Sequence, residues 1–117
     1  MIKPKDPREL AETILARSSC NVQVGAVLED YYNIVSWGWN SMGPDGLGMH
    51  AEEHCILRAN PLRRPRSVIY VASRRRRNNK PLLSRPCHDC QRLLLGCGIK
   101  RVYYHDGSGK WHYEVIQ

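Results

Sequence analysis

The chain has 117 residues, 42% of them hydrophobic and 25% charged, with a net charge of +7. That is the scale of one globular domain, residues 1–117, built around one core. No apolar run approaches the length of a membrane span, which excludes a helical membrane protein. The polar opening, residues 1–6, leads straight into a helix without the pattern of a signal peptide, so the expectation is a cytoplasmic protein with reduced thiols.

Asp6-Pro7-Arg8-Glu9 combines an acidic N-cap, Pro at N1 and Glu at N3, which predicts a helix running to about Ser19 with Leu10, Ile14 and Leu15 as its apolar stripe. Residues 22–28 and 34–39 are rich in β-branched and aromatic side chains and are separated by a short polar segment, the pattern of a β-hairpin. Residues 40–49 contain three Gly and a Pro and form a loop that delivers His50 to a second helix. That helix spans residues 50–60, is stopped by Pro61, and turns Cys55, Ile56 and Ala59 inward. A buried strand over 67–73 is followed by a basic loop over 74–85. A third helix over 87–95 is opened by Pro86 and closed by Gly96 and Gly98. A fourth strand (100–105), the turn Asp106-Gly107-Ser108-Gly109 and a fifth strand (111–116), antiparallel to the fourth, complete the chain. The order α-β-β-α-β-α-β-β predicts an α/β fold, a mixed five-stranded sheet sandwiched by helices.

Two segments carry chemistry: His50-Ala51-Glu52, and 34 residues beyond Glu52, Pro86-Cys87-His88-Asp89-Cys90. One imidazole and a Cys-x-x-Cys pair hold Zn²⁺ with three protein ligands and leave a fourth position for water, the arrangement of a catalytic site. Zinc lowers the pKa of bound water from 15.7 toward about 7, and a helix N-terminus beneath Cys87 and Cys90 favours their thiolates. Glu52 lies outside this ligand set and is the candidate proton carrier, catalytic by its position two residues after His50. His54 and His88 are the spare imidazoles, each expected to be a satisfied polar side chain. Cys20, Cys55 and Cys97 are expected to be small core residues.

The positive charge is local. Residues 58–92 hold eleven Lys or Arg and one acid, Asp89, whereas the remainder holds seven basic residues and ten acids. Arg74, Arg75, Arg76, Arg77 and Arg85 are candidates for binding a phosphate or a nucleic-acid backbone, and a solvated basic surface is the alternative.

The pattern H-x-E…P-C-x-x-C is that of zinc-dependent nucleobase deaminases, and the chain resembles the cytidine/deoxycytidylate deaminase superfamily. The resemblance implies a three-layer α/β/α cytidine-deaminase-like fold, a Zn²⁺ cofactor and hydrolytic deamination of a cytosine nucleotide. Trp37-Gly38-Trp39-Asn40 is similar to the Gly-x-Asn segment of deoxycytidylate deaminases. This implies that Asn40 contacts sugar and base and that Ala51 offers its backbone N–H to the pyrimidine carbonyl. Trp39 beside it is a candidate base platform, and the loop starting at His105-Asp106 resembles one that reads a neighbouring base in polynucleotide deaminases. His54-Cys55 stand where free-nucleotide deaminases often have Asn-Ala. The helices that end many relatives are missing from the pattern, which points to a minimal core completed by a homo-oligomer. The readings left open are a free (deoxy)cytidine nucleotide such as dCMP, a single-stranded DNA or RNA substrate with cytosine or adenine as target, and a non-catalytic zinc-stabilised nucleic-acid-binding module.

Overall fold

A computed structural model describes residues 6–43 and 48–117; residues 1–5, and residues 44–47 of the predicted loop, lie outside the described residues. Helix α1 (Pro7–Ile14) starts as expected, with Pro7 at its first position and the Asp6 side chain accepting the Arg8 amide at 2.9 Å. It tightens into a 3₁₀ turn over Leu15–Arg17 and ends before Ser19. Ser18 is already extended there, and its carbonyl accepts Gln23 Nε2 at 2.7 Å.

Five strands follow in one sheet, β1 (Val22–Glu29), β2 (Ile34–Trp39), β3 (Val68–Arg75), β4 (Arg101–His105) and β5 (Trp111–Val115), in the order β2-β1-β3-β4-β5. β3 and β4 run parallel and the other three pairs antiparallel, so the sheet is mixed as expected. Helices α2 (Ala51–Arg58) and α3 (His88–Gly96), with a 3₁₀ turn over Arg64–Arg66, complete the element order among the described residues. Strand alternation sorts the side chains into two clusters. Ala26, Leu28, Ile69, Val71 and Val102 pack with Cys55, Ile56, Leu94 and Ile99 beneath α2 and α3. Val27, Ala72, Tyr70 and Trp37 pack with Ala11 and Leu15 of α1. Each fully buried Leu or Ile among these contributes about 1.5–3 kcal/mol by leaving water. The result is the three-layer α/β/α fold.

Two glycines let the helices press directly onto the strands. A Cβ on Gly38 would lie 2.4 Å from the Cys55 amide nitrogen and 2.8 Å from the Ala51 carbonyl oxygen, so β2 and α2 meet backbone to backbone. On the other face a Cβ on Gly25 would lie 2.3 Å from the Ala11 carbonyl oxygen of α1.

The predicted basic loop is shorter than expected. Arg74 and Arg75 belong to β3, because β1 begins early enough to pair Gln23 with Arg74 and Val22 with Arg75. The chain then turns at 76–78 and comes back alongside, with Arg75 N donating to Lys80 O at 2.8 Å, Leu82 N to Ser73 O at 3.1 Å and a bridge from Arg74 to Pro81. No described helix is long and apolar enough to cross a membrane.

Candidate active site

His50 and Cys87 occupy equivalent places: each is the N-cap of its helix, His50 of α2 and Cys87 of α3, with extended backbone and no capping side chain of its own. The base of the loop before His50 is closed by Ser41 and Met49, which exchange backbone hydrogen bonds at 3.0 and 2.8 Å. Two helix N-termini thereby meet at one point. Cys90, one turn into α3, joins them from a buried position.

Among the described residues, His50, Cys87 and Cys90 form a group whose ligand atoms all lie within 4.8 Å of one another. His50 Nδ1 is 3.8 Å from Cys87 Sγ and 3.2 Å from Cys90 Sγ. Zn–S and Zn–N bonds of ordinary length at a tetrahedral angle put sulfur and nitrogen about 3.6 Å apart, so these distances fit one Zn²⁺ bound through Nδ1 and two thiolates. Burial, then the charge of Glu52, push the Cys90 thiol far above its usual range, so it takes a cation to make it a thiolate. No fourth His, Cys, Asp or Glu joins the group among the described residues. His54, the nearest spare imidazole, accepts the Trp39 amide through Nδ1 at 3.2 Å and meets the Trp39 ring edge-on at 4.6 Å. His88 is exposed.

Glu52 is 5% exposed in the first turn of α2 and lies beside the Cys90 thiol. Burial raises its carboxyl above the ordinary value, opposed by its own backbone amide and by His50. A buried acid that touches a metal ligand without joining the ligand group is placed to exchange protons with whatever occupies the open position.

A cavity of about 330 Å³ opens from His50 and is lined by Cys20, Val24, Asn40 and Met49 among others. Asn40 lines it, and its side chain is already partly used. Oδ1 accepts Val24 N at 2.9 Å and Nδ2 donates to Val22 O at 2.8 Å, stitching the cavity wall to β1. Ala51 is fully buried at the first position of α2, where a helix leaves its amide without an internal partner. Cys20, read from the sequence as core, is half-buried and lines this cavity; nothing in the spacing around Ser18-Ser19-Cys20 signals that. A second cavity of about 340 Å³ reaches His50 from the side of Glu53, Asp89 and Leu93.

Other expected contacts are placed elsewhere. Trp39 pairs with Gly25, on the α1 face of the sheet, with the Arg17 guanidinium over its ring, so strand alternation turns it away from the metal ligands. His105 is buried, its Nε2 accepting Ser73 N at 3.0 Å and its ring edge-on to Trp111 at 5.1 Å; it lines a separate cleft with Glu12 and Leu15 of the α1 side. Arg85 forms a bidentate ion pair with Glu114 at 2.8 and 2.6 Å, and the pair raises the arginine and lowers the acid. Arg74 donates to Gln23 Oε1 at 2.9 Å and Arg76 to the Ser19 carbonyl at 3.1 Å. Arg75 and Arg77 line a fourth cleft.

Comparison with known proteins agrees with this geometry. Residues 7–106 match the family of the cytidine and deoxycytidylate deaminase zinc-binding region. No curated protein sequence matches the chain. Among solved structures it is similar to a cytidine deaminase from Burkholderia pseudomallei, with TM-score 0.74 and 19% identity over 94% of this chain and 90% of that one. It is also similar to the dCMP deaminase of cyanophage S-TIM5 in its apo form, with TM-score 0.63 and 20% identity over 86% and 79%. The same phage enzyme in complex with dCMP and dUMP gives TM-score 0.58 and 20% identity over 81% and 74%. With the ligand triad assembled as zinc requires and the family pattern spanning nearly its whole length, the chain belongs to the zinc-dependent cytidine and deoxycytidylate deaminase family.

Proposed function

We propose that the protein hydrolyses the exocyclic amine of cytosine in a free (deoxy)cytidine nucleotide such as dCMP, releasing ammonia and leaving uracil. The observation that carries this reading is the convergence of His50, Cys87 and Cys90 beside the buried Glu52, with His50 lining a cavity walled by Asn40. Zn²⁺ bound by that triad supplies a Lewis acid that makes water a nucleophile near neutral pH.

The chain's own groups do the rest. Glu52 takes the proton of the attacking water on its carboxylate and delivers it to ring nitrogen N3, then assists departure of the amine as ammonia. The Ala51 amide, unpaired within its helix, holds the pyrimidine carbonyl. The second hydrogen of Asn40 Nδ2, beyond the one given to Val22, is available to the sugar. Of the two cavities described at His50, the one containing Asn40 suits an anionic nucleotide, because no acid among the described residues lines it whereas Glu53 and Asp89 line the other.

The basic stretch is the feature that favours a polynucleotide, yet Arg63, Arg64, Arg74, Arg76 and Arg85 hold contacts within the fold. A non-catalytic module gives no reason for a buried carboxyl against the metal site. The test is to incubate the zinc-loaded protein with cytidine, dCMP, dCTP, adenosine and single-stranded oligonucleotides, and to follow ammonia release and product mass. Conversion of dCMP to dUMP is the expected result; turnover confined to adenosine or to oligonucleotides overturns the reading.

A further inference from the structure

Alternation along β3 places Ile69, Val71 and Ser73, and then Arg75, on the face that carries the metal ligands, with Arg75 opposite Val22 in register. Arg74 falls on the α1 face. Arg75 and Arg77, with Asn21 and Val22, line a cleft of about 370 Å³ that no acid among the described residues borders. Neither arginine forms an ion pair among the described residues. Two guanidiniums in one cleft without counter-charge repel each other. An anion with several acceptor oxygens reverses that, since each planar fork donates two parallel N–H groups.

The cleft neighbours the cavity at His50 along β1. Val24 lines the cavity and Val22 the cleft, two residues apart on one strand face and thus about 6.7 Å apart. The Asn40 side chain bridges the backbones of both. The sugar that joins a base to its phosphate spans a separation of this size. A closed hairpin presents the two arginines: Arg75 N donates to Lys80 O, Asn79 N donates to Arg75 O, and Asn79 takes a left-handed φ of 59°. Their backbone is therefore fixed before any ligand arrives, which lowers the ordering cost of binding.

The geometry points to Arg75 and Arg77 as the phosphate subsite of this enzyme, with the base at His50 and Glu52, the sugar along Asn40 and the phosphate between the two guanidiniums. This assignment rests on the deaminase reading and adds which chemical group of the substrate is recognised, and by what. The phosphate is a monoester in a free nucleotide or a diester in a polymer, and the arms of the experiment separate the two.

The proteins to compare, all zinc-loaded, are the parent, Arg75→Ala/Arg77→Ala, and Arg66→Ala/Arg101→Ala as an exposed control of equal charge change. Each is assayed on dCMP, deoxycytidine and an oligonucleotide with one cytosine, and its binding of dUMP and deoxyuridine is measured by calorimetry. In the Arg75/Arg77 variant KM for dCMP should rise tenfold or more with kcat little changed, since removing a charged hydrogen-bond partner costs about one decade or more of affinity. The dUMP Kd should rise in parallel, while deoxycytidine and deoxyuridine stay within about twofold of the parent and the control variant resembles it. If the phosphate arrives in a polymer, the loss falls on the oligonucleotide and the slope of log K against log salt flattens by about 1–2. Equal effects on phosphorylated and unphosphorylated ligands, or no effect on any phosphorylated one, overturn the subsite. A parent protein whose dUMP binding depends on Arg75 and Arg77 but which deaminates none of the three substrates overturns the deaminase reading and leaves the subsite standing. Absence of both binding and turnover overturns both.

Discussion

Replacing Gly38 by Ala tests whether the backbone contact between β2 and α2 is what places the metal ligand. The new Cβ would lie 2.4 Å from the Cys55 nitrogen and 2.8 Å from the Ala51 oxygen, whereas such atoms rest at about 3.5 Å. Helix α2 must therefore retreat by roughly 1 Å, and both contacts are backbone, so no side-chain rotation relieves them. Overpacking of this kind costs about 1–3 kcal/mol, which for a chain of this length lowers Tm by about 4–12 °C. The retreat carries His50 and Glu52 with it. His50 Nδ1 now stands 3.2 and 3.8 Å from the two sulfurs, and a displaced ligand weakens zinc binding by about 10–100-fold.

Gly25→Ala is the matched comparison, with its Cβ 2.3 Å from the Ala11 oxygen of α1, a helix that carries no ligand. It should cost comparable stability and leave zinc affinity within about threefold of the parent. Scanning calorimetry of metal-free protein reads the first quantity and competition against a chromophoric chelator reads the second. Equal loss of zinc affinity in the two variants, or an unchanged Tm in Gly38→Ala, refutes the reasoning.

Glu52→Gln keeps the shape of the side chain and removes its capacity to carry a proton; zinc content by atomic absorption should be unchanged and kcat for dCMP should fall about 10²–10⁴-fold. Cys90→Ala removes a buried ligand, so zinc should be lost to weak chelators. In the parent, adding zinc to 1,000 times its Kd should raise stability by about 4 kcal/mol, measured as a shift in denaturation midpoint. Asp30 accepts the Arg63 guanidinium at 2.7 and 2.8 Å, and that hydrogen bond holds its carboxyl well below the usual carboxylate range. A depressed folded-state pKa gives stability that is present above the unfolded value, about 3.9. The parent should accordingly lose stability as pH falls below that value toward the depressed folded-state pKa, more steeply than Asp30→Asn does in acid denaturation. Arg85→Ala should leave KM for dCMP within about twofold, since its partner is Glu114 and both side chains are more than 30% exposed.

Periodicity and punctuation carry most of the architecture. Pro7 and Asp6 set the start of α1, and the β-branched runs place β1 and β2. His50 and Cys87 mark the entrances of α2 and α3 within one residue. The triad was legible because ligand type and spacing are local facts. Which face of a strand a residue occupies was legible only in part, since it depends on register with a neighbour distant in sequence. Trp39 adjoins Asn40 in the chain, but pairing with Gly25 turns it away from the metal ligands, and its ring meets Arg17 and His54 of α2 instead. His105 ends a strand whose alternation and whose bond to Ser73 bury it away from the ligands. Cys20 enters the cavity through tertiary placement alone. The glycine of Gly38-Trp39-Asn40 reads from sequence as part of a motif; the structure gives its cause, the close passage of α2.

The run Arg74 to Arg77 shows how register turns a compositional feature into distinct chemical roles. As a block of charge it suggests one electrostatic surface. Once β3 pairs with β1 through Arg75, neighbouring arginines diverge: Arg74 goes to Gln23 on the α1 side and Arg76 to the carbonyl of Ser19, while Arg75 and Arg77 face a common cleft. The first two lock the start of β1, whose Val22 and Val24 wall the neighbouring cleft and cavity, so they act on the site through the position of a strand. Single substitutions should therefore separate by effect. Arg74→Ala, which leaves Gln23 Oε1 without its partner in a largely buried setting, should lower Tm and change KM for dCMP and deoxycytidine alike. Arg77→Ala, exposed at the turn, should leave Tm unchanged and move KM for dCMP alone. Contrasting effects of Arg74→Ala and Arg77→Ala are the mark of side chains sorted by the strand and by the turn that follows it; a uniform response across the four would mean that the charge acts as a diffuse field and that the register has no part in it.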